Sequence, residues 1–252
     1  MTNQPFYKIL GLSPTLRESV SKDLRTYTIN LGEALKVEGL RQCQIFAGLS
    51  ADEAMELASH ATAVAFTKGT FIFKEGDPPD FFYVVYEGLV QVFKSSGSGK
   101  SVTFTIAIRG ETLTASALFL ESYFVSTQAM TDVTLLRINR KDWLAFVDEH
   151  PTIAVRITTL MAQRLNSEYE RIVDIVGEEV ELRLVHSLCI LASKLGTTLS
   201  LTRQELANFA GTTTETTIRV LSRLKTKGVI AGSANRGEIV ISDLAKLQNY
   251  TR

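Results

Sequence analysis

Residues 201–228, LTRQELANFAGTTTETTIRVLSRLKTKG, constrain the fold of this chain more than any other stretch. Thr202 and Glu205 have the spacing of a capping box, in which each side chain accepts a hydrogen bond from a backbone N–H at the start of a helix. Gly211 follows a short helical pattern and permits a tight turn. The stretch therefore predicts two short helices joined by a glycine turn.

The second of these helices is amphipathic over residues 214–227. Val220, Leu221 and Leu224 recur at helical spacing and predict a buried face. Polar residues occupy the other face, as is typical of the second helix in a DNA-binding helix-turn-helix. An ordinary helical hairpin is the alternative that this stretch alone leaves open. Two threonines are candidate N-caps of the second helix, Thr212 and Thr213.

The residues that follow favour the DNA-binding interpretation. Two apolar runs, 229–230 and 239–241, flank the turn sequence GSANRGE, and this pattern predicts the β-hairpin wing of a winged helix. Arg236 lies at the tip of that hairpin, where we expect it near phosphate. Residues 201–252 contain eight Lys or Arg against four Asp or Glu, so the C-terminal piece is basic although the whole chain is balanced.

The composition is that of a globular protein with two domains. The 252 residues, 45% hydrophobic and 21% charged, are enough for two separate cores. No apolar run reaches the roughly 18 residues that a membrane helix needs, and the N terminus lacks the pattern of a signal peptide. We therefore expect a cytoplasmic protein that has no membrane partner.

Cys43 and Cys189 are the only cysteines. Two thiols are too few for a four-thiolate zinc or iron–sulfur site. Both lie in apolar runs, which favours buried structural thiols over the alternative, a redox role for Cys43.

From residue 61 to residue 138 the hydrophobic period changes to two. Short alternating runs are separated by turns such as KG, EGDPPD and SSGSGK. This pattern predicts an antiparallel barrel or sandwich. A short helix at 46–60, capped by Ser50 and Glu53, precedes it. Residues 1–40 are expected to form an N-terminal extension, with short helices possible near 8–27 and 30–40.

A long helix is predicted from Pro151 to about residue 176, because proline is favoured in the first turn of a helix and disfavours helix in the residue before it. Apolar residues recur in this helix at steps of three and four, which suits the seam of a coiled-coil dimer. A helix packed only on its own β domain is the alternative. The predicted seam contains Met161, Leu165, Tyr169, Ile172 and Val176.

The order of these parts resembles the CRP/FNR family of bacterial transcription regulators over roughly residues 43–245. The resemblance implies an α+β fold, in which an N-terminal antiparallel jelly roll of the cupin-like cyclic-nucleotide-binding type binds an effector. It also implies a dimerisation helix and a C-terminal winged helix-turn-helix. The runs that carry the resemblance are IFAGLS at 45–50, FKEGDPPDFFYVVYEGLVQVF at 73–93, ALF at 117–119, LMAQRL at 160–165 and the stretch at 201–230.

The resemblance also implies domain boundaries and a quaternary structure. A homodimer is expected to present two winged helices to a two-fold DNA operator. The expected segments are an N-terminal extension at 1–40, an effector-binding-like β domain at 41–150, a dimerisation helix at 151–177 and a DNA-binding domain at 178–252.

By the same resemblance, Glu215 and Arg219 in the 213–227 recognition helix contact bases. A carboxylate can accept from cytosine N4, and a guanidinium can bond guanine O6 and N7. Thr214 stands where the cyclic-AMP receptor type has a base-reading Arg, and Ile218 where the FNR type has a Ser, so the operator sequence stays open. Phosphate contacts are expected from Thr202, Arg203, Thr212 and Thr213, and Arg223 and Arg236 complete the predicted DNA-binding set.

The effector pocket departs from the family pattern. The family signature has a Gly-Glu pair before the ALF run and an Arg-Ser pair after it, and the Arg pairs with the cyclic phosphate. Aligning on residues 117–119 puts Thr114-Ala115 and Val125-Ser126 at these pairs. Cyclic AMP should therefore bind weakly or not at all, and the effector is apolar, unidentified or absent. The predicted pocket contains Thr114, Ala115, Ser116, Val125, Ser126 and Tyr169.

Haem is another possible effector, because some family members sense gas through it. Only His60, His150 and His186 could ligate iron, and none lies in a predicted strand. We predict no metal site and no enzyme, since no catalytic set appears and SGSGK at 96–100 lacks P-loop spacing. RNA polymerase is an expected partner. The alternative function is a ligand-binding β module that acts on a protein partner without reading DNA sequence.

Overall fold

The computed structural model describes residues 25–97, 99–113, 115–231 and 237–250, and it has the predicted α+β architecture. These residues form two compact units. The first contains the described residues up to Val92 together with Ile106–Thr158, and the second contains Phe93–Thr105 and the residues from Thr159 onward. Among the described residues, no helix combines the length and the apolar character that a membrane crossing requires.

The first unit begins with a strand that the sequence pattern did not predict. Strand β1 (Thr26–Ile29) pairs antiparallel with β2 (Ala61–Phe66) at the edge of a five-stranded sheet. Its alternating threonines with Tyr27 and Ile29 suit a half-buried strand. Helix α1 (Glu33–Arg41) follows, close to the short helix expected at 30–40. The stretch expected to be an extension therefore contributes to the sheet.

The predicted capping box at Ser50 is formed. Helix α2 (Ala51–His60) begins after Ser50, whose hydroxyl accepts from Glu53 N at 3.2 Å. Glu53 Oε2 accepts in return from Ser50 N at 2.7 Å. The helix starts five residues later than predicted, since residues Gln44–Phe46 form a separate 3₁₀ turn.

The β strands form two open antiparallel sheets rather than a closed barrel. After β1 and β2 come β3 (Phe71–Phe73), β4 (Phe81–Glu87), β5 (Val90–Ser95), β6 (Ser101–Ala107), β7 (Thr112–Leu113), β8 (Ser126–Ala129) and β9 (Val133–Asn139). One sheet has the order β1-β2-β9-β4-β7, and the other has the order β3-β8-β5-β6. The edge strands β3 and β7 are only three and two residues long, which leaves too short a ladder to close a barrel.

An aromatic cluster anchors helix α3 (Arg140–Glu149) to the first sheet. The ring of Trp143 is fully buried and stacks on Phe82 at a centroid distance of 3.9 Å. Phe46 meets Trp143 edge-on at 5.7 Å. Offset and edge-on aromatic contacts add to the free energy gained from burial alone, so this cluster is a main part of the core of the first unit.

Helix α4 is the long helix predicted after Pro151, and it extends from Pro151 to Gly177. Ile153 and Ile157 are its only fully buried residues. Both lie in its first two turns, within the first unit. The remaining turns, which belong to the second unit, expose much of their apolar surface.

The second unit contains a winged helix. Helix α5 (Val180–Leu195) packs on α6 (Arg203–Ala210) and α7 (Thr214–Thr226), which form the predicted helix-turn-helix. The predicted wing is present as β11 (Ile230–Ala231) paired antiparallel with β12 (Ile239–Ile241). The remaining elements are strand β10 (Thr198–Leu199), which pairs with β12, and helix α8 (Leu244–Asn249).

The two cysteines differ in environment. Cys43 is buried, as predicted, but Cys189 is only half-buried. The prediction of a buried Cys189 was wrong because the apolar run around it forms a helix that keeps one side exposed, where Ile190 is also exposed. Burial still raises the pKa of the Cys189 thiol, which disfavours the reactive thiolate form.

Candidate nucleic-acid interface

The start and the end of helix α6 are fixed by local hydrogen bonds. The Thr202 hydroxyl accepts from Glu205 N at 3.1 Å, and Glu205 Oε2 accepts from Thr202 N at 2.6 Å, so the predicted capping box is confirmed. Gly211 ends the helix with φ 63° and ψ 41°, the left-handed conformation that glycine adopts without a steric penalty. The N–H of Thr212 donates to Ala207 O at 2.9 Å and completes the turn.

Thr213, rather than Thr212, is the N-cap of helix α7. Its hydroxyl accepts from Thr216 N at 3.2 Å. The side chain of Thr214 donates to Gln204 Oε1 at 2.5 Å and links the start of α7 to α6. Thr217 is fully buried, and its hydroxyl donates to Thr213 O at 3.0 Å. These bonds fix the angle at which α7 leaves the turn.

Helix α7 presents a polar face to solvent. Val220, Leu221 and Leu224 are buried, as predicted. Glu215 and Arg219 are both exposed and lie one helical turn apart, so they share a face. Hydrogen bonds from its own backbone N–H and from the Thr213 hydroxyl lower the pKa of the Glu215 carboxyl. Glu215 is therefore ionised at neutral pH and acts only as an acceptor.

The flanking residues predicted at phosphates have mixed environments. Thr202 and Thr213 are exposed, whereas Thr212 and Arg203 are half-buried. Arg203 Nη1 donates to Glu238 O at 3.3 Å and so joins α6 to the residue directly before strand β12 of the wing. Arg236 lies outside the described residues.

Arg223 occupies an ion pair that the sequence pattern did not reveal. Its Nη1 lies 2.6 Å from Glu181 Oε2 on helix α5. Glu181 Oε1 accepts a hydrogen bond from Tyr250 OH, which in turn accepts from Lys227 Nζ. Arg223 of α7 and Lys227, the residue directly after α7, are thus drawn toward the Glu181 carboxylate of the same unit. They lie 42 and 46 residues from Glu181 in sequence, a separation over which no local pattern operates.

Arg171 on helix α4 braces the end of helix α6. Its guanidinium donates to Phe209 O at 2.7 Å, Thr103 O at 2.6 Å and Phe104 O at 3.0 Å. It also lies over the Phe209 ring, 5.1 Å from the centroid. Burial lowers the pKa of Arg171, but an arginine remains charged at neutral pH. The Arg171 side chain therefore fixes Phe209, which lies two residues before the turn at Gly211.

The predicted seam of helix α4 is exposed over most of its length. Tyr169 and Val176 are 55% and 83% exposed, whereas Met161 is half-buried. Val173 is also exposed and was not among the predicted seam residues. The other exposed seam residues are Leu165 and Ile172. Apolar side chains rarely stay in water in a continuous stripe unless a partner covers them.

The predicted effector positions in the first unit lie where a 3₁₀ turn leads to strand β8. Ala115 and Val125 are buried, and Ser116 is half-buried. Ser126 is half-buried and its hydroxyl accepts from Glu75 N at 3.0 Å. Residues 111–130 contain no Lys or Arg, so this stretch supplies no cation for a phosphate. Thr114 lies outside the described residues, and Tyr169 belongs to the second unit.

Two family models match the chain. Residues 63–150 match the cyclic nucleotide-binding domain, and residues 182–250 match the Crp-like helix-turn-helix domain. These matches cover strands β3 to β9 and the helix-turn-helix.

Known proteins are similar over most of the chain. The cyclic AMP receptor protein of Thermus thermophilus is 31% identical over 189 residues, which cover 74% of this chain and 87% of that protein. The nitrogen fixation regulation protein FixK of Azorhizobium caulinodans is 26% identical and covers 82% of this chain and 88% of its own. A solved CRP/FNR-family transcriptional regulator from Thermus thermophilus superposes with a TM-score of 0.60 at 26% identity, covering 75% and 97% of the two chains. The relatives are transcriptional regulators rather than enzymes.

Proposed function

Because the chain belongs to the CRP/FNR family of transcription regulators, we propose that it works as a homodimer that binds a palindromic DNA operator. Its helix-turn-helix makes it a DNA-binding regulator. The observation that carries the proposal is the exposed pair Glu215 and Arg219 on a helix whose start and angle are fixed by Thr213 and Thr214.

The base contacts follow from the chemistry of that pair. Arg219 donates to guanine O6 and N7 in the major groove, and Glu215 accepts from cytosine N4. Ile218 is 53% exposed on the same side of the helix and can meet a thymine methyl. Phosphate contacts position the helix without reading sequence, and they come from Thr202, Arg203, Thr212, Thr213 and Arg236. Thr214 and Arg223 complete the proposed DNA-binding set.

The dimer is formed by the exposed stripe of helix α4. Pairing two copies along this stripe buries the apolar side chains from Met161 to Val176, as in a two-stranded coiled coil. A two-fold dimer then presents two copies of α7 to two half-sites related by the same symmetry. RNA polymerase is the partner through which a bound dimer acts on transcription. The proposed segments are an N-terminal stretch at 1–40, whose strand β1 joins the sheet of the β domain, the β domain at 41–150, the dimerisation helix at 151–177 and the DNA-binding domain at 178–252.

The effector is not cyclic AMP. A cyclic phosphate needs a cation to offset its charge on leaving water, and residues 111–130 contain none. Buried Ala115 and Val125 favour an apolar ligand. Thr114, Ser116 and Ser126 complete the proposed pocket of this unit, and haem iron lacks a histidine in this stretch.

An operator selected from random DNA tests the proposal. Binding to the selected palindrome and to a scrambled duplex is measured by fluorescence anisotropy over a series of salt concentrations. We expect the palindrome to bind at least about 10³-fold more tightly, with an affinity that falls steeply with salt. Equal affinity for every sequence would support the alternative of a β module that acts on a protein partner.

Sedimentation tests the dimer with a matched pair of variants. The wild-type protein is expected at twice the 27.8 kDa mass of one chain. Leu165→Glu places a charge in the seam and should yield monomers, whereas Gln163→Glu, two residues away on another side of the helix, should not. A monomeric wild-type protein, or a dimeric Leu165→Glu variant, contradicts the proposed seam.

A further inference from the structure

Three glutamates surround His150 in the first unit, away from the DNA-binding elements. His150 lies between helices α3 and α4, and its ring packs against Phe146 at a centroid distance of 4.2 Å. Glu53 and Glu56 approach from helix α2, and Glu149 precedes His150 in the chain. The imidazole is therefore held by a ring on one side and faced by carboxylates on the other.

The two nitrogens of His150 have different surroundings. Nδ1 lies 3.3 Å from Glu53 Oε1, and the other oxygen of Glu53 is fixed by the capping box of helix α2. Nε2 is buried and has no hydrogen-bond partner, although Glu56 Oε2 lies 3.7 Å away. A carboxylate that binds Nδ1–H selects the tautomer with a lone pair on Nε2. That lone pair then faces the Glu56 carboxylate, and a cation lying between the two would turn their repulsion into two attractive contacts.

We propose that Glu56, Glu149 and His150 bind a divalent transition-metal ion such as Zn²⁺, and that Glu53 orients the imidazole. One ligand atom from each of the three residues lies within 4.8 Å of the other two. Atoms about 2.0–2.2 Å from a tetrahedral Zn²⁺ are separated by roughly 3.4 Å, so the 3.7 Å between His150 Nε2 and Glu56 Oε2 is close to the separation of two ligands.

The chemistry of the donor set identifies the class of metal. An imidazole nitrogen favours zinc, nickel and copper over magnesium and calcium, which prefer oxygen ligands alone. Pairing of the Glu53 carboxylate with Nδ1 is the arrangement that orients a metal-bound histidine in many zinc proteins. A bound ion links helix α2 to the junction at which α3 ends and α4 begins.

Calorimetry with ZnCl₂ on the metal-stripped, full-length protein tests the site. We expect saturable binding of one Zn²⁺ per chain in the wild type and its loss in His150→Gln. Glu53→Gln should weaken binding about 10–100-fold. His60→Gln is the matched control, since His60 lies at the end of α2 as His150 lies at the end of α3, but its Nδ1 faces the carboxylate of Asp142 at 3.9 Å rather than a group of glutamates. This variant should bind Zn²⁺ like the wild type.

Two outcomes overturn the proposal: no saturable binding by the wild type, or unchanged affinity in His150→Gln. Glu149→Gln repeats the test on an exposed side chain if His150→Gln does not fold. Thermal unfolding gives a second readout, in which Zn²⁺ should raise the Tm of the wild type and leave that of Glu149→Gln unchanged. An equal rise with Mg²⁺ would contradict the assignment to a transition metal.

Discussion

The helix-turn-helix and the effector stretch of the β domain differ in how their functional residues are brought together. In the helix-turn-helix, the residues that cap α6 and α7 and link their starts are three to ten positions apart, as in the capping box of Thr202 and the bond from Thr214 to Gln204. In the effector stretch, Ser126 is held by the N–H of Glu75, 51 residues away.

This difference determines what a change of residue does in each region. A DNA-reading surface built from local caps keeps its geometry when its exposed side chains vary, so a new base preference requires few substitutions. A pocket built from distant strands no longer binds a whole class of charged ligands once the one residue that neutralises their charge is replaced. The predictions below test this contrast.

Removing a buried side chain from α7 should have the largest effect and should leave the β domain intact. Leu224 is fully buried, and Leu224→Ala is expected to lower the free energy of unfolding of the winged helix by about 2–5 kcal/mol. Urea unfolding is followed by far-ultraviolet circular dichroism and by the fluorescence of Trp143, the only tryptophan, which lies in the first unit. The tryptophan transition should not move.

Ser222→Ala is the control for this experiment, because Ser222 is exposed on the same helix and its loss should change stability by less than about 0.5 kcal/mol. An equal shift of both transitions in Leu224→Ala would show that the two regions unfold together, which would contradict the expected independence of the winged helix from the β domain.

Arg219→Ala should lower affinity for the selected operator by about 1–3 kcal/mol and change binding to random DNA little, because a base contact is lost. Arg203→Ala is the matched comparison. It should weaken binding to all sequences alike and reduce the salt slope by about 1, as expected for a phosphate contact. Anisotropy on both duplexes measures these effects, and a uniform loss in Arg219→Ala would reassign that residue to phosphate.

Thr213→Ala should destabilise the winged helix by about 1 kcal/mol, since it removes the hydroxyl that caps α7. Thr212→Ala, one residue earlier, removes a hydroxyl that does not cap the helix and should cost less. Thermal unfolding of the two variants side by side measures the difference. A larger loss in Thr212→Ala would show that the cap is formed by the other threonine.

Cyclic AMP should produce the smallest effect of all, an absence of saturable heat in calorimetry at micromolar concentrations. The physical reason is the lack of a cation between residues 111 and 130. The cyclic AMP receptor protein of Thermus thermophilus, 31% identical to this chain, is the positive control. Micromolar binding by this protein would contradict the proposed effector pocket.

Much of the fold was predictable because it depends on local patterns. The capping boxes at Ser50 and Thr202, the turn at Gly211 and the wing at 239–241 all appear at the expected places. Each is determined by residues within a few positions of one another, so the sequence contains the whole interaction.

The parts that were missed depend on residues far apart in sequence. Strand β1 becomes a strand because it pairs with β2, whose partner residues lie 34 or more positions later in the chain. Its four residues are too few to show a clear period. The pair of Arg223 with Glu181 and the position of His150 among glutamates of another helix also have no local pattern. Which of Thr212 and Thr213 caps α7 depends on the backbone conformation of the turn, which the sequence does not specify.

Arg171 also has a consequence for the order of folding. Its three acceptors lie 38, 67 and 68 residues away in sequence, and bonds between such distant segments close only after local structure has formed. We therefore expect the brace to form after the rate-limiting step of folding. Arg171→Met should accelerate unfolding while leaving the refolding rate nearly unchanged, which stopped-flow measurements at several urea concentrations would show.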